Sequence, residues 1–224
     1  MFRECRTLLL VVVMTLIAAD GRAAQLPEPA PAPPELQFYQ LDPAETQSRF
    51  EVKFMGFITV RGKFTRTTGI LLRDPQLQHS SIQAFIDTTT LDAHVVNANT
   101  TNRILRGPEF FQVDKYPSIE FKSAQFVYEG ERLLRIDGAL TLLGVTRPVM
   151  LAVANAHCAP GEAPRRARCE ASASVTVKRS DYGMLGWSES VGDEVKIIVD
   201  LVAVEASREA APVKPELEAA APKP

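Results

Sequence analysis

Residues 138–151, GALTLLGVTRPVML, constrain the fold more than any other stretch of this chain. Leu140 and Leu142 alternate with Thr141 and Leu143, and Val149, Leu151 and Val153 repeat the alternation beyond Pro148. Successive side chains of a strand point to opposite faces, so this pattern is a β-hairpin with one apolar wall, turning across residues 144–148. Similar segments recur over residues 38–204. A meander of that many short strands closes into a barrel or folds into a sandwich.

The first clear strand has Phe50, Val52 and Phe54 on one face and Glu51 and Lys53 on the other. Gly56 and Gly62 interrupt the following section, as glycines do at bends, bulges and close backbone approaches. A strand over residues 69–75 ends at Pro75, and in the next Ile82, Ala84 and Ile86 alternate with Gln83, Phe85 and Asp87. The period then changes. Leu91, Val95, Ile104 and Leu105 are spaced for one or two short helices within residues 90–107. Phe110 and Phe111 are placed to plug one end, and Ile119 and Phe121 resume the strand pattern. A hairpin turning at residues 129–131 and two closing strands, near 171–177 and 195–204, complete the set.

The ends read differently. Arg3 and Arg6 precede an apolar run over residues 8–19, the pattern of a secretory signal peptide over residues 1–23. The run falls short of the roughly 20 residues a spanning helix needs. Cys5 lies ahead of it, where no lipid-attachment cysteine belongs. Residues 24–35 form a Pro-rich linker of polyproline type, and residues 207–224 form a tail unable to pack. One domain, residues 36–206, remains, and export places it in the periplasm. With 25 Lys+Arg against 27 Asp+Glu the chain has no basic field for nucleic acid.

In an oxidising compartment Cys158 and Cys169 read as a disulfide across a polar insert, free thiols being the alternative. Closing a loop of that size contributes about 3 kcal/mol in the chain-entropy model. Arg165, Arg166 and Arg168 in the insert suit transient contact with an anionic membrane surface or a partner, a solvated loop being the simpler reading. His79, His94 and His157 have no ligand-like spacing, so no metal is expected. Residues 183–188 lack the strand-to-helix context of a nucleophile elbow, and Arg179, Ser180, Asp181 and Tyr182 read as fixing the last connection. No enzyme is expected.

Taken in order, several segments resemble the YceI-like proteins, small periplasmic lipocalin-like barrels associated with polyisoprenoid binding. They are Leu41-Asp42-Pro43, residues 48–53 leading into Gly56, Gly62 with Phe64, Glu109-Phe110-Phe111 and Tyr116-Pro117-Ser118-Ile119-Glu120-Phe121. Residues 138–149, Arg179-Ser180-Asp181-Tyr182-Gly183 and Asp193-Glu194-Val195 complete the series. The chain departs from the family where members carry histidines: it has Glu45 after Asp-Pro, Phe54 after Val52-Lys53, and Thr101-Asn102-Arg103-Ile104-Leu105 in the helix motif.

The resemblance implies an all-β fold, an antiparallel eight-stranded lipocalin-like β-barrel with a short helical insert. It implies periplasmic carriage of an elongated apolar lipid, a polyisoprenoid or isoprenoid quinone, in the lumen, with no cofactor beyond that lipid. The expected ligand-binding residues are Phe50, Val52, Phe54, Phe64, Ile86, Phe110, Phe121, Ile136, Leu140 and Trp187. Eight strands either pack solid or hold one small ligand. The competing expectation is therefore a closed-core protein-interaction or stress-response module without lipid. The assembly would be a monomer or homodimer.

Overall fold

The computed structural model describes residues 36–206 apart from Gln78, His94, Val96, Ala163 and Pro164. The expected signal peptide, linker and tail, and His94, lie outside the described residues. The strands are β1 (Gln37–Leu41), β2 (Gln47–Phe54), β3 (Ile58–Phe64), β4 (Thr67–Arg73), β5 (Ser81–Asp87), β6 (Leu91–Ala93), β7 (Ser118–Glu129), β8 (Arg132–Leu142), β9 (Val145–Ala159), β10 (Arg168–Lys178) and β11 (Val191–Glu205). One α-helix, α1 (Ala98–Arg106), lies between β6 and β7.

The register turns these strands into eight staves. Strands β1, β4, β5, β7, β8, β9, β10 and β11 pair antiparallel in that order, and β1 also pairs with β11, which closes the ring. Along β11, β1 takes residues 203–205 and β2 takes residues 191–200, so β1 and β2 are one stave broken once. Likewise β3 runs on into β4, and β5 into β6, since β3 pairs with β2 and β6 while β4 pairs with β1 and β5. The expected closed eight-stranded barrel is what forms.

Each break frees backbone polar groups that must find other partners. Side-chain hydroxyls supply them. Thr46 Oγ1 donates to the Val202 carbonyl at 3.1 Å and accepts from Val202 N at 3.2 Å. Thr88 Oγ1 donates to the Tyr116 carbonyl at 2.9 Å, and Thr90 Oγ1 accepts from Thr65 N at 3.2 Å. The Ser48 and Thr67 hydroxyls bond each other at 2.8 Å across neighbouring staves.

Local readings shift in three places. A strand, β1, precedes the one expected at Phe50. Leu91 belongs to β6, not to a helix, and the only α-helix among the described residues begins at Ala98. The hairpin of residues 138–151 turns at Leu143 and Gly144, both with positive φ (51° and 75°), and residues 145–148 already belong to β9. A two-residue turn of that handedness matches the twist of its strands. Leu143 tolerates it because its side chain is buried in the core.

In the half of the barrel that holds the disulfide the inward side chains are buried. Tyr39, Leu41, Leu71, Ile82, Ile136, Val153, Cys169 and Ala203 are all buried there. At this end Cys158 and Cys169 face each other across β9 and β10 and form the disulfide. Arg168 is engaged beside it, with Glu45 at 2.9 and 2.5 Å and with Glu170 at 2.6 Å. Arg168, read in sequence with the insert's cations, is thus paired within the protein, and Glu45 serves as its anchor. The guanidinium holds the Glu45 carboxyl below its ordinary value by hydrogen bonding.

A candidate apolar binding cavity

The other half of the barrel is hollow. A cavity of about 550 Å³ opens there, within the range of small-molecule sites. Its floor can be read stave by stave. On β8, Leu142 and Leu140 line the cavity and Ile136 does not; on β7, Ile119 does and Phe121 does not; on β11, Val191, Val195 and Ile197 do and Leu201 does not. The floor therefore lies near Phe121, whose ring crosses its neighbour at Gly138 so closely that a Cβ there would meet it at 2.7 Å.

The walls follow from strand alternation. Ser48, Phe50, Val52 and Phe54 face inward from β2, and Ile58, Val60 and Phe64 from β3. Phe50 lies over its partner on the neighbouring stave, which is why position 62 is glycine: a Cβ would sit 2.3 Å from the ring. Phe111 packs against Phe50 and Phe64, with centroids 5.8 and 5.4 Å away. Helix α1 covers one side. Thr101, Ile104 and Leu105, spaced i, i+3, i+4, turn to the cavity, and Phe111 N donates to the Leu105 carbonyl at 2.9 Å. Phe110 and Phe111 thus form part of the wall beside the mouth.

Of the ten residues expected to meet a ligand, Phe50, Val52, Phe54, Phe64, Ile86, Phe110, Leu140 and Trp187 line this cavity. Phe121 and Ile136 do not. They are buried at and below the floor, because their strand phase is inward but their height is wrong.

The polar groups on the wall are occupied. The Ser48 hydroxyl is bound to Thr67, and Arg49 pairs with Asp200. Arg179, 3% exposed, was expected to fix the last connection and does so through its side chain. Nε donates to the Gly192 carbonyl, Nη1 to the Met184 and Gly186 carbonyls, and Nη2 to the Val191 carbonyl, all between 2.6 and 3.1 Å. Burial pulls this guanidinium below its ordinary value, and the Asp193 charge opposes that shift. Asp193 accepts from Ser180 N at 2.9 Å and Ser180 Oγ at 2.8 Å, which holds its own carboxyl low. Arg179 is thereby a clamp on residues 183–192, fixing the connection as expected, through four backbone carbonyls. Val177, Met184 and the β11 residues were missed; their inward phase becomes visible only with the register.

His79 meets Asp74 in a turn at 3.0 Å, far from the cavity lining, and no metal-ligating cluster occurs among the described residues. A closed up-and-down antiparallel barrel with an apolar hollow is a lipocalin-like architecture. Residues 39–203 match the model of the YceI-like domain, and the chain belongs to that family. Among relatives, a UPF0312 protein of Vibrio cholerae is 30% identical over 109 residues, 48% of this chain and 56% of that protein, so the chain spans little more than half the length of that relative. A UPF0312 protein of Photorhabdus laumondii is 30% identical over 138 residues, covering 59% of this chain and 68% of that one.

Solved structures agree on the fold. Burkholderia cenocepacia BcnA superposes with a TM-score of 0.57 at 22% identity, covering 72% of this chain and 98% of that one. A polyisoprenoid binding domain from Saccharophagus degradans, implicated in plant cell wall breakdown, gives 0.55 at 14% identity, covering 76% and 99%.

Proposed function

We propose that this protein binds an elongated apolar lipid of polyisoprenoid or isoprenoid-quinone type in the hollow half of its barrel and carries it across the periplasm. The observation that carries this reading is the wall itself: about 550 Å³ enclosed by aliphatic and aromatic side chains, with its charged groups turned to partners in the protein. A ligand held there contributes by leaving water, at about 25 cal/mol per Å² of apolar surface. The mechanism is sequestration, with no bond made or broken. The binding residues are those of the expected set that line the cavity, joined by Ile58, Ile104, Leu105 and Val195. The name of the Saccharophagus neighbour supports the ligand class.

Native mass spectrometry of protein taken from its host tests this. A lipid adduct released on activation is expected. Bare protein that also fails to bind an apolar fluorescent probe would overturn the reading in favour of a closed-core interaction module.

A further inference from the structure

We infer that the barrel mouth docks on the surface of a lipid bilayer, through an apolar lip formed by the β2–β3 turn and the loop of residues 183–190. Phe57 is 77% exposed, Leu185 63%, Met55 56%, Trp187 47% and Ile58 46%. These five large apolar side chains account for all but one of the exposed large apolar residues described, the other being Met150 on β9. The two segments are one unit: Met55 N donates to the Ser190 carbonyl at 2.7 Å, and Phe54 pairs with Val191.

Local conformation shows that the exposure is maintained against two costs. Met55 and Trp187 both have positive φ, 53° and 52°, where glycine or asparagine is the unstrained choice and also the more soluble one. Local rules are broken chiefly at functional or strained sites, with the cost met by neighbouring contacts. The geometry is also held firm. Ser190 N and Val191 N both donate to the Trp187 carbonyl, the Trp187 ring packs edge-on against Phe110 at 5.9 Å, and Arg179 clamps the carbonyls of Met184, Gly186 and Val191.

The occupant follows from continuity and charge. Ile58 and Trp187 belong both to the cavity wall and to the exposed lip, so one apolar surface runs from the lumen to the outside. The apolar stretches of the lip, residues 54–58 (FMGFI) and 183–188 (GMLGWS), contain no ionisable group, and in the loop of residues 183–190 only Glu189 is charged. A second copy seated there would stopper the mouth, whereas a bilayer would present it with lipid. Trp and other large apolar side chains at the headgroup level are the ordinary anchors of such contact. This inference rests on the lipid-carrier reading and names the surface at which the cavity is filled.

The single tryptophan of the chain is a built-in reporter. Full-length protein mixed with phosphatidylcholine vesicles should co-sediment with them. Its emission should shift to the blue and be quenched by lipids brominated near the headgroup, equally at low and high salt, because no surface charge drives the contact. The triple variant Met55→Asn, Phe57→Ser, Leu185→Ser touches no cavity-lining residue. It should bind vesicles at least about a hundredfold more weakly, from the lost apolar burial, and still bind farnesol as the parent does. Parent protein that binds farnesol but not vesicles, or a variant that binds vesicles as well as the parent, would overturn the lip. So would a parent dimer, seen by sedimentation velocity, that the variant abolishes while vesicles stay unbound. Failure to bind farnesol would instead strike the carrier reading.

Discussion

Lengthening a prenyl alcohol by one isoprene unit at a time should tighten its binding steeply and then stop. At roughly 30 Å³ per heavy atom, about the share of a molecule in liquid water, the cavity of about 550 Å³ holds on the order of 18 carbon atoms, between three and four isoprene units. Each unit offers on the order of 100 Å² of apolar surface, so its burial contributes roughly 2 kcal/mol before ordering costs. That is up to about thirtyfold in affinity per unit. The floor near Phe121 sets the limit, because the lining of the cavity stops there: Phe121, Ile136 and Leu201 lie outside it. Displacement of a fluorescent probe by a series from two units to eight, with the alcohols kept below their aggregation thresholds, gives the curve directly. Steps that shrink to less than about twofold beyond the fourth unit are expected. Affinity that climbs undiminished through eight units would refute the reasoning, since it would require the packed half to open.

Replacing Phe54 with Asp should cost at least about 2 kcal/mol of ligand binding by setting an unpaired carboxylate against the lumen, while Lys53→Asp on the outer face should change it little; titration of both variants compares them. Gly62→Ala would place a Cβ 2.3 Å from the Phe50 ring, so overpacking of about 1–3 kcal/mol is expected, read as a lower thermal midpoint together with weaker ligand binding as the ring is pushed inward. Reducing the Cys158–Cys169 bridge should lower stability by about 3 kcal/mol in calorimetry and leave binding at room temperature unchanged, because the bridge joins the filled end.

The strand phase of this barrel is legible in the chain because alternation is a local property. Phe50, Val52 and Phe54 face inward as their spacing says, and the register is not needed to see it. Depth along the barrel is a different matter. Whether an inward side chain stands in the hollow or in the packing depends on how the staves are staggered, which is set by pairings between residues far apart in sequence. Phe121 and Ile136 show the difference: correct face, wrong level. The hairpin turn was displaced because Pro148 resembles a turn residue. It lies instead where β9 is paired with β8 alone, the edge position a proline tolerates. For Arg179 the role in fixing the last connection is legible but its partners are not, since the carbonyls it binds are assembled only when residues 183–192 fold back over it.

The division between the filled and hollow ends has a consequence for how such a molecule can change. The disulfide, the interlocked aromatic and aliphatic layers and the ring closure between β1 and β11 all sit below the floor, so that end can bear the whole architecture. Substitutions of wall side chains above the floor can then alter what the cavity accepts while leaving those ties in place. The shape of the hollow and the closure of the ring become largely separable, and one scaffold can diversify into many cavities.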